Sequence, residues 1–415
     1  MELTNKQEQG LKIAVSNYNL GMPYTVISGF AGAGKTTLIR FIIDALNLKD
    51  DDVAYVAYTG KAANVLRQKG CPNAMTAHKL LYYARPLPNG QFTFEPRKGL
   101  EHLFKLIVVD EVSMLPKDMW ELLLSHGVHV LASGDPGQLP PVEKEGDKEI
   151  NNHVLDHPHI FLDEIMRQAQ DSAIIRLSMH IREGKDFTTF PNASGEVRII
   201  KHAADLFKDM SDYQNCLLGA DQILSGTNKQ RRSINDMVRK LKGRGTEPEI
   251  GDKVIGLSNH WNFPSREGVA LTNGSIGKIL TMQHIPTTFP HKLNLPAIDI
   301  LECDLSVEGE DDEFWEVPID YQFLTTQVMS LDSRQLYRLR NYVKNYRGTA
   351  HPPSVPMDFD YGYAITVWKA QGSEWDRILG FDAKWVLYGK GEEMYKQYLY
   401  TLVTRASKMI ILVGD

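Results

Sequence analysis

The segment Gly29-Phe30-Ala31-Gly32-Ala33-Gly34-Lys35-Thr36 fits the pattern G-x-x-x-x-G-K-[ST], lying between an apolar strand and a helix predicted from Thr36 to about Leu46. Glycines there let the backbone curl so that successive N–H groups face phosphates, and the helix N-terminus adds positive potential. Lys35 would reach the β/γ oxygens and Thr36 would ligate Mg²⁺, so the expected nucleotide-binding set is Gly29, Gly32, Ala33, Gly34, Lys35, Thr36 and Thr37. Leu106 to Glu111 then places two carboxylates at the end of a buried strand, Asp110 suited to the magnesium shell and Glu111 to polarising an attacking water. That pairing suits hydrolysis, because a P-loop kinase needs an acceptor pocket and is harmed by an adjacent acid aimed at water. Acids at strand ends also cap helices, which is the alternative. Gly134 to Pro141 follows another apolar strand and emerges on the same edge, where Gln138 can sense the γ-phosphate; an ordinary Pro/Gly turn is the other reading.

These residues need a parallel sheet to position them. Short β-branched runs at Tyr24 to Ser28, Val53 to Tyr58, Leu106 to Val109 and Val128 to Ala132 alternate with amphipathic stretches, the pattern of strands wrapped by helices. Asn89-Gly90 is a type I′ turn signal between two extended arms and predicts a projecting hairpin. The same α/β character returns at Gln222 to Ser225, Tyr363 to Val367, Ile378 to Phe381 and Ile410 to Val413. Between them, Lys253 to Leu257, Ser275 to Thr281, Ile298 to Asp304 and Phe314 to Ile319 read as a small β-barrel, followed by a helix at about 332 to 346. The expected organisation is a first α/β lobe over 1–77 and 99–165, a projecting hairpin over 78–98, a second α/β lobe over 166–250 and 355–415, and a barrel insertion with a helical extension over 251–354.

So many segments in this order make the chain resemble the superfamily 1 class B helicases, the RecD/Dda-like kind. Leu3 to Gln7 looks like the Q motif, with Gln7 as adenine reader, and Tyr58 to Ala63 and Thr76 to Leu80 look like motifs Ia and Ib. Leu162 to Gln168 resembles motif IV, Ala364 to Glu374 motif V, and Tyr400 to Ala406 motif VI. The resemblance implies an α/β fold of two RecA-like lobes, the second carrying an SH3-like barrel, and an ATP-driven DNA helicase. Gln138 would act beside Lys35 and Glu111, Arg167 and Arg405 would serve as arginine fingers, and Gly372 and Glu374 would join the ATP site. DNA contacts are implied for Thr59, Lys61, His78, Thr227, Asn228, Thr366 and Trp368, and for the pin residues Phe92 and Phe94. Movement 5′ to 3′ on single-stranded DNA, opening of forks, ATP and Mg²⁺ as cofactors, work as a monomer and encounters with single-stranded-DNA-binding or replication proteins come with the same resemblance. Trp368 stands where the family usually has histidine; it either stacks on a base or fills the lobe's core. Phe92 and Phe94, two residues apart on one arm, share a face and either project toward DNA or pack onto the first lobe.

Composition narrows the rest. Dividing 415 residues by a domain prior gives about 2.8 cores, and 42% hydrophobic with 24% charged residues excludes a stapled scaffold and global disorder. With 46 Lys plus Arg against 52 Asp plus Glu, a uniformly basic coat is excluded. The tract from Lys229 to Arg244, seven basic residues against Asp236 alone, is either a phosphate track or a solvated helix face. Cys71, Cys216 and Cys303 are too dispersed for a disulfide framework or zinc site. With no targeting pattern at Met1 to Asn5 and no apolar run of about 18 residues, the expectation is a cytoplasmic protein of a bacterial or phage-infected cell without membrane partners. Two other readings compete: a nucleotide-gated module that clamps DNA without unwinding it, and a RecD-like subunit of a larger complex. No acidic cluster reads as a nuclease site.

Overall fold

The computed structural model describes residues 3–71, 73–86, 92–140, 144–145, 148–149, 152–193, 195–258, 260–264, 270–271, 273–310, 313–346, 353–387, 389 and 391–414. They form two compact units. The first comprises Met1–Leu81, Lys98–Arg231 and Ala364–Asp415, the second Tyr82–Arg97 and Arg232–Tyr363.

The first unit holds two α/β sheets of RecA-like type. In the N-terminal one the strands lie in the order Ile160–Leu162, Tyr24–Gly29, His129–Gly134, Leu106–Val109, Val53–Ala57 and Met75–Thr76, all parallel. Sequential strands with helical crossovers leave the three loops of interest, after Gly29, Val109 and Gly134, on adjacent strands at one edge. The sheet is held by side chains such as Val26, Ile27, Ile107 and Val130, each fully buried and each contributing ~1.5–3 kcal/mol. Helix Lys35–Ala45 covers it with Leu38, Ile39, Ile42 and Ile43, an apolar face at helical spacing. Helix Asn5–Asn19 starts in a capping box: Gln7 N–H donates to Thr4 Oγ1 and Thr4 N–H donates to the Gln7 side-chain oxygen.

The second sheet is also wholly parallel, in the order Val197–Ile200, Ala406–Val413, Trp375–Phe381, Gln222–Ser225 and Ala364–Thr366. Four of these strands overlap the sequence expectation, Trp375–Phe381 and Ala406–Val413 beginning earlier than the apolar runs alone indicated, while the edge strand Val197–Ile200 was not anticipated.

In the second unit, five antiparallel strands run in the order Glu313–Asp320, Ile298–Val307, Ile276–Thr287, Lys253–Gly256 and Phe359–Tyr361. The edges approach each other where Asp320 N–H donates to the Met357 carbonyl and Met357 N–H to that of Pro318, so the sheet curls toward closure around Leu301, Leu305, Phe314, Val317 and Phe359. Helix Ser333–Lys344 packs Leu339 and Val343 against Leu293, Ile298 and Leu331. The hairpin arms Tyr82–Pro86 and Phe92–Pro96 pair with Ala84 opposite Phe94, and the second arm lies beside strand His260–Pro264. The turn at Asn89-Gly90 is outside the described residues.

Part of the basic tract departs from both of its expected readings. It lies on helix Asn228–Leu241 and the turn beyond it, but Arg231 and Arg239 are buried. The Arg239 guanidinium sits 4.1 Å over the Tyr361 ring and donates to Asp252 and to the carbonyls of Gly245, Thr246 and Glu247, while Arg244 pairs with the same Asp252. A buried cation is tolerated when its donors are so satisfied, and these arginines therefore build the fold. Lys229, Arg232, Lys240 and Lys242 remain exposed.

Candidate nucleotide site and its neighbours

Gly32 and Gly34 have φ of 77° and 80°, which bends the loop back onto the start of the helix. A side chain at Gly34 would collide with those of Gln7 and Met166, so the loop rests on both. Gln7 is buried, with Nε2 donating to the Ala33 carbonyl at 3.3 Å, so it props the P-loop with the amide that the resemblance assigned to adenine. Lys35 Nζ donates to the carbonyls of Gly29 and Phe30 at 2.6 and 3.2 Å, inside the curl of the loop. Thr36 and Thr37 occupy the first helical turn, half-buried.

On the neighbouring strands, Asp110 Oδ1 accepts from Ser133 Oγ at 2.6 Å, and Glu111 follows in a left-handed backbone conformation with φ of 50°. A non-glycine residue held there costs conformational energy, which is common at working sites. Gln138 Nε2 donates to Glu111 Oε1 at 3.2 Å. Desolvation pushes the Glu111 carboxyl above its ordinary pKa, Asp110 and Asp135 add to this, and Arg405 and Lys35 oppose it. A carboxylate so placed has raised basicity toward water.

Arg405 is buried at the end of helix Glu392–Val403, with Nε donating to the Thr401 carbonyl at 3.2 Å and Nη1 to that of Ser373 at 3.1 Å. It is the strongest opposite charge acting on Glu111, so motif VI of the second sheet reaches the acids of the first. Arg167 begins the short helix Arg167–Gln170; its side chain is outside the described set, as are those of Lys61 and Phe92.

The contacts joining the two sheets involve residues that the sequence reading left without individual roles. Ala31 N–H donates to the Tyr400 hydroxyl, which donates to Asp135 Oδ2, both at 2.7 Å. Leu139 N–H donates to Thr401 Oγ1 at 2.7 Å, and Gln371 Nε2 donates to the Leu139 carbonyl. Burial holds the Tyr400 hydroxyl well above its ordinary pKa, with Asp135 reinforcing the shift, so it stays protonated. The available signal was polarity in an apolar run: Tyr398 to Val403 are all buried, so Tyr400 and Thr401 need hydrogen-bond partners inside the protein.

The other expected site residues are arranged differently. Gly372 has φ of 68°, and Glu374 lies 3.5 Å from Lys69, an ion pair at the rim. Thr59 Oγ1 accepts from Ala62 N–H and Thr227 Oγ1 from Gln230 N–H, at 3.2 and 3.1 Å, while Asn228 Oδ1 accepts from Arg231 Nε at 3.3 Å. Burial lowers His78 to a pKa of about 4, so the ring is neutral at pH 7; it lies 6.1 Å from Tyr58. Trp368 packs on the fully buried Tyr398, ring centroids 5.7 Å apart, and is half-buried, as is Thr366. Phe94 is half-buried on the hairpin. Among the described residues there is no cluster of three or more His, Cys, Asp or Glu able to hold a metal, and no helix is long and apolar enough to cross a membrane. All three cysteines are free and buried.

The chain is similar to several known proteins. Residues 2–202 match the family described as an AAA domain, and residues 361–413 match the UvrD-like helicase C-terminal domain. The ATP-dependent DNA helicase Dda of Enterobacteria phage T4 is 24% identical, with 97% of each chain covered. The ATP-dependent RecD2 DNA helicase of Deinococcus radiodurans is 25% identical over 95% of this chain, which spans 47% of that longer protein. A crystal structure of Bacteroides Pif1 bound to single-stranded DNA aligns over 99% of this chain and 92% of that one, at 15% identity and a TM-score of 0.47. With the P-loop, the paired acids and Arg405 in this setting, the chain is similar to the ATP-dependent DNA helicases Dda and RecD2.

Proposed function

We propose that this protein is a motor that moves 5′ to 3′ along single-stranded DNA and separates duplex at forks, driven by ATP hydrolysis between its two parallel sheets. The observation that carries the reading is the seam: Arg405 and Tyr400 come from one sheet, while Lys35, Glu111 and Gln138 come from the other. Lys35 and the P-loop amides bind the triphosphate, Glu111 and Gln138 orient water, and Arg405, joined by Arg167, offsets charge developing on the γ-phosphoryl oxygens. Thr36 and Asp110 supply a hydroxyl and a carboxylate, hard oxygen donors that fit Mg²⁺ beside a triphosphate. The ion would neutralise charge on the β- and γ-phosphates.

Arginine fingers are worth roughly 10³ to 10⁵ in rate, so any change in the spacing of the sheets switches turnover, and nucleotide binding becomes a mechanical event. Dda and RecD2 carry the name of ATP-dependent DNA helicases, which supports DNA as the track. Forked duplexes with only a 5′ or only a 3′ tail, incubated with ATP and a trap strand, test the proposal. Displacement of the 5′-tailed substrate alone is expected. Displacement of the 3′-tailed one alone reverses the direction, and ATP hydrolysis without displacement of either leaves a nucleotide-gated clamp.

A further inference from the structure

We propose that Tyr400 is the positioning residue through which the second sheet sets the geometry of the hydrolysis site. The inference rests on the ATPase reading above and assigns a role to a residue outside its chemical steps. One oxygen ties two loops together: it accepts from Ala31 N–H on the rim of the P-loop and donates to Asp135 Oδ2, both at 2.7 Å. Asp135 is itself buried, and its other oxygen accepts from Gly137 N–H at 2.9 Å, so this carboxylate fixes the turn that leads into Gln138.

The neighbouring residues extend the clasp. Thr401 holds Leu139 N–H at 2.7 Å through its hydroxyl, and its carbonyl accepts from Arg405 Nε at 3.2 Å. Gln138 is thus gripped on both sides, through Asp135 and through Leu139, by consecutive residues of the helix whose end anchors Arg405. Gln138 in turn reaches Glu111 at 3.2 Å. A helix transmits a shift along its axis as a rigid rod. Movement of helix Glu392–Val403 relative to the first sheet therefore displaces the P-loop rim, the water-orienting pair and the guanidinium together. Without the clasp, Arg405 would move while Glu111 and Gln138 stayed behind.

The hydroxyl is separable from the ring. The Tyr400 ring stands edge-on to Phe30 at 6.4 Å between centroids, and a Cβ at Gly137 would lie 3.1 Å from its Cε1. Arg182 closes the far side, its guanidinium 3.9 Å over the Phe30 ring. These apolar contacts survive replacement by phenylalanine, which removes only the bonds to Ala31 and Asp135.

Tyr400→Phe tests the inference, with DNA-stimulated ATP turnover, binding of a fluorescent ADP analogue and thermal melting measured on the full chain. Because a buried bond to a charged group is lost, kcat is expected to fall about tenfold to a hundredfold. ADP affinity and KM are expected to stay within about threefold of wild type, a split that general loosening of the fold would not produce. Asp135→Asn supplies the second arm: if the two groups act as one clasp, the double variant is no slower than the slower single variant. Wild-type kcat in the Phe variant, loss of ADP affinity in step with kcat, or losses that multiply in the double variant each overturn the assignment. A wild-type chain that does not hydrolyse ATP overturns the motor reading itself; an active wild type matched by its Phe variant overturns this inference alone.

Discussion

The loops around the P-loop of the first sheet and the loop after strand Gln222–Ser225 of the second engage their polar side chains in opposite ways. After the first sheet, the polar groups of Asp135, Gln138 and the loop backbone at Ala31 and Leu139 reach each other and the second sheet. After the second, Thr227 and Asn228 bond within their own helix turn, and Gly226 is packed so closely that an added Cβ would meet Ala383. A site whose members bond across a seam responds when the seam moves, whereas one whose members cap local helices presents a fixed surface. On the proposed reading, chemistry is conditional on the seam, while Thr227 and Asn228 are tied to their own helix.

The contrast breaks first at the nucleotide end. Lys35→Ala is expected to reduce ATP turnover to the assay background while single-stranded DNA affinity, measured by fluorescence anisotropy, stays close to wild type, because Lys35 lies within the P-loop curl. Equal kcat in the two proteins would remove the site. Arg405→Ala comes next in size: a loss of about 10³ in kcat with nucleotide affinity nearly retained is expected of an arginine that contributes only as charge develops. Loss of affinity at normal kcat would make it a ground-state contact.

How much of this could be read in the sequence depends on the range over which each feature is determined. The P-loop is local: glycine spacing, strand and helix are all written within a few residues, and the central strands of both sheets were visible as short apolar runs, whereas the short strands Met75–Thr76, Ile160–Leu162 and Val197–Ile200 were not. The alignment of Asp110 and Gln138 beside the P-loop followed from strand ends, since a parallel sheet places such loops on one edge. Tyr400, Thr401 and Gln371 were contained in recognised segments, but their partners lie more than 200 residues away, and no local pattern identifies which buried hydroxyl meets which loop. The buried arginines of the basic tract escaped the sequence for the same reason. Arg239 and Asp252 are 13 residues apart, and only the turn between them, which offers three carbonyls to the guanidinium, shows that charge serving the fold.

His78 sharpens the comparison on the DNA side. Burial lowers its pKa from 6.5 to about 4. The unfolded chain therefore binds the proton more readily, so folding stability rises with pH across that window and is lost as pH falls from 6.5 toward 4, by at most ~3 kcal/mol for this group. Melting of wild type and His78→Asn between pH 4 and 7 checks it: the wild type should lose stability more steeply on acidification. DNA affinity between pH 6 and 8 should show no titration that the variant removes. A titration near pH 6.5 that disappears in the variant would mean that an imidazolium grips phosphate.

The smallest effect falls on the helix caps. Thr227 accepts from Gln230 N–H at 3.1 Å, so Thr227→Ala is expected to cost ~1 kcal/mol of stability, the usual worth of such a cap. Thr227→Ser should restore it, since the hydroxyl and not the methyl makes the bond. If the loop is a rigid surface that binds DNA through several weak contacts, the alanine variant weakens single-stranded DNA binding by no more than about threefold, because one neutral hydrogen bond is worth little in water. A tenfold loss of affinity with unchanged melting would place the hydroxyl on the DNA and not on its helix. The second sheet would then resemble the first, committing its polar side chains outward, and the division between a conditional site and a fixed surface would fall.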